Sequence, residues 1–281
     1  MFKKYQYPKY YYIGLIFIHI LLLFPVLNKK KDRNTITLTF LTTVGFAFYY
    51  EYPLYIFKAY KYKTKILKNR EQDNSFGSVL SQSIYVPSVA TVISFFQLGW
   101  KVKFLFTLFY VFIERLFIRL HIFKNRWWRT PYTALSIFAF FYVSDFTYKK
   151  LQNGNKMMLK LSLYNTFHVI YMFLLFLLSV LNKFRFEPVS WSIQPWYYHY
   201  SFVKLYLLFE TGLTVFLFER KKKGIKVLPL ICILIMDSYL INKKKLKVKG
   251  SYWLSVFPVR LFSYLFLFLL QKANKSKLAS D

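Results

Sequence analysis

The amino-acid sequence predicts an all-α fold, a polytopic transmembrane helical bundle of about eight or nine spans, and three observations carry that prediction. Uncharged stretches at 10–28, 74–100 and 161–182 each approach or exceed the ~20 residues a helix needs to cross a bilayer. Hydrophobic residues make up 56% of the chain and aromatic residues 23%, with a mean hydropathy of +0.29, which is more apolar than a water-soluble domain of this length. The 41 basic residues far outnumber the 11 acidic ones and sit almost wholly between the apolar stretches, where anionic lipid headgroups would meet them. The net charge of +30 is therefore read as a membrane-surface feature, not as a nucleic-acid footprint.

The first span is 10–28. The N-terminus opens like a secretion signal, with bases before an apolar core, but that core is too long. Pro25 and a KKKDR run also stand where a small-residue cleavage site would be, so the span is read as retained. The second span covers 35–57, with Glu51 and Pro53 near its end. The basic loop 58–73 lacks apolar periodicity and is expected to be the most protease-sensitive segment. Further spans follow at 80–98, 102–121 and 131–147, then a connector holding Asn153, Gly154 and Asn155, and a sixth span at 161–182. An aromatic, proline-bearing stretch (188–200) leads to a seventh at 202–218. The eighth, 225–241, is interrupted by Asp237 and is the weakest; the ninth, 252–270, is interrupted by Arg260. Residues 273–281 read as a disordered tail. With alternating spans the basic residues divide almost evenly between the two sides, so the positive-inside rule assigns no orientation.

Two bundles are expected, a five-helix one over 1–150 and a second of about four helices over 151–272, with hints of a diverged repeat. TLFYVFIER (107–115) echoes GLTVFLFER (212–220), FYVSDFTYKKL echoes LIMDSYLINKKKL, and SQSIYVP echoes SWSIQP.

Ionisable side chains at membrane depth are costly, so each needs a reason to be there. The acids are Glu51, Glu114, Asp145, Glu210 and Asp237, and the bases Arg115, Lys204 and Arg260. Glu51, Glu114 and Asp145 lie near span ends, where the cost falls, and read as structural, in ion pairs or as groups that reach the interface. Glu210 sits mid-span and is the leading functional candidate for proton or cation handling, followed by Asp237; the alternative is that Glu210 is half of a buried pair. No motif of a named reaction occurs. His19, His121, His168 and His199 have no ligand-like spacing and read as isolated imidazoles. The single cysteine, Cys232, is expected to be buried and inert. Trp127, Trp128, Trp191, Trp196 and Trp253 read as interfacial belts.

Four segments fall in a suggestive order: EYPLYIFKAY (51–60), Pro87, IERLFIRLHIFKNRWWRTPYT (113–133) and FFYVSDFTYK (140–149). Together they resemble a family of small, roughly five-span membrane proteins of endospore-forming Firmicutes, over about residues 1–150. The resemblance implies a membrane location and a helical bundle, and no molecular activity comes with it. Where the family has an Arg after its Tyr-Pro this chain has Tyr55. Its acid before the third-span proline is Gln82, and its Arg in the closing segment is Asp145, so the polar network of the family is expected to be rewired or absent.

The expected function is that of a bacterial cytoplasmic-membrane module that handles or senses a small ion or lipid. A non-catalytic subunit of a membrane complex is the first alternative, and a carboxyl-driven intramembrane enzyme of the isoprenoid-cyclase type the second. Neither enzyme activity, nor a cofactor, nor a metal is expected. The expected partners are a bilayer with anionic headgroups and another membrane protein, and not nucleic acid.

Overall fold

A computed structural model describes residues 7–29, 32–188, 193–218 and 226–278, with side chains described to 269. The expected all-helical fold is present, interrupted by two short strand pairs, and the chain divides into two compact units, Met1–Ser162 and Leu163–Asp281. The break falls past the expected boundary at 150/151, inside a helix.

The first unit runs α1 (Pro8–Leu27), α2 (Arg33–Ile56), β1 (Tyr60–Tyr62), α3 (Arg70–Leu80), a π-helical turn (Ser81–Tyr85), α4 (Val86–Phe95), α5 (Trp100–Arg119), β2 (Phe123–Asn125) and α6 (Thr130–Gln152). The second runs α7 (Lys156–Val180), which begins before the break, β3 (Phe184–Phe186), α8 (Pro195–Phe218), α9 (Leu228–Asn242), β4 (Leu246–Val248) and α10 (Tyr252–Leu278). Among the described residues, five helical segments are long and apolar enough to cross a membrane: Pro8–Leu27, Arg70–Phe95, Lys156–Val180, Pro195–Phe218 and Tyr252–Leu269. That is fewer than the eight or nine expected. The long helices α2, α5 and α6 are diluted by threonines or by charged residues such as Lys101, Lys103, Arg115 and Lys149. At 15 residues α9 is only about 22 Å long, shorter than a hydrocarbon core. Helix α10 continues to Leu278 where a disordered tail was expected from 273; residues 279–281 lie outside the described residues, as do Trp191 and residues 219–225.

Much of the first unit's core is aromatic: Tyr12, Tyr85, Tyr110, Phe117, Phe123 and Phe141 pack with Leu15, Val89, Ala90 and Ile93. In contrast α1 exposes Phe17, Leu21 and Phe24 on the side away from that core. Apolar exposure along a whole helix face is what a lipid-contacting helix shows.

The loop 58–73 is not the loose segment expected. Its first residues form β1, paired antiparallel with β2 so that Tyr60 faces Asn125 and Tyr62 faces Phe123. The remainder wraps the buried carboxylate of Asp73, which accepts hydrogen bonds from the backbone N–H groups of Lys65 (3.0 Å), Ile66 (3.0 Å) and Leu67 (3.1 Å) and from the Thr64 hydroxyl (2.5 Å). Asn69 caps α3 by accepting from Glu71 and Gln72, so the third helix starts at Arg70, well before 80. Removing one acceptor strands several donors at once. Asp73→Ala is therefore expected to cost about 2–3 kcal/mol and to open to limited proteolysis a loop that the wild-type chain is expected to protect. Equal cleavage of both proteins within 58–73 would contradict the bonded loop.

The tryptophans divide. Trp127 and Trp253 are exposed as a belt requires. Trp128 and Trp196, by contrast, are buried: Trp128 packs on Leu54 and Ala59 and donates its indole N–H to Thr133 (2.8 Å), and Trp196 lies under the Arg185 guanidinium. Cys232, expected to be buried, is only partly so.

Apart from α1, which precedes the common pattern, and with α3, the π-helical turn and α4 counted as one helix, the two units follow the same plan: helix, strand, helix, helix, strand, helix. The strand pairs have the same antiparallel register. The turn after α2 puts Lys58 at φ 55°, and the turn after α7 puts Asn182 at φ 56°; likewise His121 (59°) after α5 and Lys244 (56°) after α9. The bonds closing these turns recur residue for residue, as Ala59 N–H to Leu54 C=O and Lys183 N–H to Leu178 C=O. The interval from β1 to β2 holds one residue more than that from β3 to β4, and the first unit's π-helical turn is a feature that inserts one residue into a helix. This register is not that of the sequence echo between 107–115 and 212–220, which pairs Glu114 with Glu219. Counted back from the strands, Glu114 stands opposite Asp237 instead.

Candidate functional site

In the second unit α8, α9 and α10 bring Glu210, Asp237 and Arg260 together, all three fully buried. The Arg260 Nη1 donates to both Glu210 carboxylate oxygens (2.5 and 2.7 Å), while Nε and Nη2 donate to the two Asp237 oxygens (3.1 and 3.0 Å). Tyrosine hydroxyls complete the shell: Tyr171 donates to Glu210, and Tyr206 (2.8 Å) and Tyr252 (2.6 Å) donate to Asp237. The guanidinium carbon also lies 5.3, 5.9 and 5.4 Å from the ring centres of Tyr171, Phe184 and Tyr206. Such a shell is what a buried charge needs if it is not to be prohibitive. Arg260, not Lys204, is the base that Glu210 meets here, although Lys204 is buried on the same helix. Glu210 is thus one partner of a buried ion-pair network, both of its carboxylate oxygens bonded to Arg260.

The first unit is built differently. Glu51, fully buried on α2, accepts from the hydroxyls of Tyr60 and Ser78 (2.7 Å) and from the Gln82 amide (3.0 Å). Burial first, and the adjacent Glu51 charge second, push the Tyr60 hydroxyl well above the usual phenol range, so it acts as a donor. Glu114, on α5, accepts from Asn125 (3.0 Å), Thr130 (2.8 Å) and Thr133, three neutral donors. The Asn125 Oδ1 is buried and has no hydrogen-bond partner among the described residues. Glu114, together with Tyr60 and Gln82 that bond Glu51, lines a partly open cavity of about 580 Å³. Its walls are mostly apolar and aromatic, among them Tyr12, Phe46, Ala47, Tyr60, Tyr62, Tyr85, Tyr110, Phe123, Phe140 and Ile137; Ser81, Gln82, Thr133, Ser136 and Glu114 supply the polar atoms. Among the described residues no Lys, Arg or His lines it, and Glu114 is its one carboxylate. The volume and the ratio of apolar to polar lining suit a small amphipathic molecule.

The other candidates stay apart from both arrangements. Asp145 pairs with Lys103 (2.7 Å), whose ammonium also donates to the Leu98 carbonyl (2.6 Å) and lies over the Tyr142 ring, a helix-tying contact. Arg115 is exposed on α5. The three departures from the family pattern have local partners. Gln82 bonds Glu51, the Tyr55 hydroxyl accepts from Ser75 (2.9 Å), and Asp145 takes Lys103. His19, fully buried, sits between the Leu15 carbonyl and the Tyr110 hydroxyl, and His199 accepts from the Phe186 N–H. The cavity was not foreseen from sequence, because its lining is ordinary core residues; the π-helical turn that carries Ser81 and Gln82 into it has no sequence signature.

No family model, no curated protein and no solved structure matches this chain. The likeness to the endospore-former family rests on the motifs quoted above.

Proposed function

We propose that this chain is a multi-pass protein of the bacterial cytoplasmic membrane whose first unit binds a small amphipathic molecule, lipid or lipid-like, and so handles or senses it. The observation that carries the proposal is the tyrosine-lined cavity with polar atoms gathered at Glu114, Gln82 and Ser81. In this reading α2, α5 and α6 cross the membrane along with the five apolar spans, which gives eight crossings, the lower of the counts that the sequence suggests; their polar groups turn inward, as Glu51 and Glu114 do. A proton path through Glu210 is less well supported, since Arg260 and Tyr171 occupy its oxygens. The cyclase reading fares no better: both Glu114 oxygens accept bonds from the protein. The second unit, its acids paired, serves as scaffold or as a contact for another membrane protein.

The test is direct. Carbonate-washed membranes should retain the chain, and the protein extracted in a mild non-ionic detergent should show bound small molecules by native mass spectrometry. Ala47 is 3% exposed and lines the cavity, so Ala47→Trp fills it. That variant should lose the bound species, roughly tenfold or more in occupancy, corresponding to about 1.4 kcal/mol. A wild-type protein that carries nothing, or an Ala47→Trp protein that carries as much, would rule the binding function out.

A further inference from the structure

We propose that the ligand of the first-unit cavity is an organic cation, held where the second unit holds its own Arg260 guanidinium. This deepens the cavity reading above and rests on it. Aligned on their strand pairs, the two units place Glu114 opposite Asp237, Ile137 opposite Arg260, Ala47 opposite Tyr171 and Tyr60 opposite Phe184. Gln82 falls opposite Tyr206, at the π-helical turn. Every one of these first-unit residues lines the cavity, and every second-unit counterpart touches the Arg260 guanidinium. The second unit therefore fills with its own cation and large rings the place that the first leaves open with Ala47 and Ile137.

The electrostatics point the same way. A carboxylate in a low-dielectric cavity attracts a monocation strongly, and its neutral donors do not cancel its charge. Asp237 receives a guanidinium; Glu114 receives only Asn125, Thr130 and Thr133 among the described residues. Of the rings that flank Arg260 at 5.3–5.9 Å, Phe184 has an aromatic counterpart in Tyr60, and Tyr62, Tyr85, Tyr110 and Phe123 add further ring surface to the cavity wall, which suits an ammonium or guanidinium. With no Lys, Arg or His in the described lining, an anionic head is disfavoured. The shared chemistry is a monovalent ammonium- or guanidinium-type head on an apolar body, which either a free amphiphilic amine or an aminolipid headgroup provides.

The experiment uses the full-length protein in maltoside micelles and compares radiolabelled octylguanidinium with octylurea, its neutral isostere, by scintillation proximity. Octylguanidinium should bind at least tenfold more tightly than octylurea. Glu114→Gln should bring that ratio close to one. Ile137→Arg, which gives the first unit the internal guanidinium of the second, should weaken octylguanidinium binding at least tenfold and raise the melting temperature. Added phosphatidylethanolamine, but not phosphatidylglycerol, competes if the source is a lipid headgroup; if neither competes, the source is a free amine. Equal binding of octylguanidinium and octylurea by the wild type would overturn the cation assignment and leave the cavity reading standing. Binding of neither would overturn both. An unchanged ratio in Glu114→Gln, or unweakened binding in a folded Ile137→Arg, would also overturn the cation assignment.

Discussion

Arg260→Leu is expected to destabilise the second unit by about 3–5 kcal/mol, the usual consequence of stranding buried charge. The substitution takes away five guanidinium hydrogen bonds and leaves Glu210 and Asp237 facing each other in a site with no solvent. Thermal melting in detergent, or survival of a monodisperse peak after heating, should show the loss plainly. Glu210→Gln should be far milder, about 1 kcal/mol. It keeps an acceptor for the Tyr171 hydroxyl and leaves Arg260 and Asp237 as a one-to-one pair. Combining Arg260→Leu with Glu210→Gln and Asp237→Asn should recover part of the loss, because the stranded charges go too. If Arg260→Leu melted like the wild type, or Glu210→Gln were just as damaging, the network would not be holding the unit together.

That ordering shows what the sequence could and could not convey. Glu210, Asp237 and Arg260 stand out in sequence because an ionisable group at membrane depth is expensive. Their grouping into one network could not be read, because the partners lie on three helices separated by loops and nothing in local spacing ties position 210 to position 260. For the same reason Lys204, on Glu210's own helix, was as plausible a partner as Arg260. Asp145 and Lys103 were legible only as charges, and their pairing depends on how α5 packs against α6. The cavity was less visible still. It depends on small or neutral residues, Ala47, Gln82 and Ile137, at places where the second unit carries Tyr171, Tyr206 and Arg260, and such residues are conspicuous only once the units are laid over each other.

The helices were legible from apolar length, and their ends less so. Three-residue strands such as Tyr60–Tyr62 give no periodic signal, and the Lys-rich composition of 58–73 concealed a segment ordered by the buried Asp73 carboxylate. The sequence echoes fall in a different register from the strand pairs because Phe- and Leu-rich stretches match one another at many offsets. The positive-φ turns at Lys58 and Asn182, and at His121 and Lys244, fix the register by backbone geometry instead. Burial of Trp128 and Trp196 has a similar cause: an indole near a span end is ambiguous until its neighbours are known, and here Leu54 and Ala59, at the turn from α2 into β1, cover the first and Arg185 the second.

Gly77→Ala is expected to be the most damaging single-methyl change in the first unit, by about 2–3 kcal/mol, the upper range for overpacking. A Cβ on Gly77 would lie 2.4 Å from the Tyr62 Cβ and 2.6 Å from its Cγ. These atoms cannot swing away as the tip of a side chain could. The Tyr62 N–H donates to Asn74 Oδ1 (2.8 Å), its strand is paired with β2, and its ring packs 4.9 Å from Phe123. Relief must therefore come from moving β1 away from α3, which displaces Tyr60 and Tyr62 from the cavity wall and Tyr60 from Glu51. The variant should melt lower and lose cavity ligand together. Gly212→Ala is the control: its Cβ meets nothing within 4 Å, and in mid-helix the change should be neutral or stabilising by about 0.5–1 kcal/mol. Equal melting temperatures for Gly77→Ala and Gly212→Ala would mean that β1 does not sit against α3 as closely as this geometry requires.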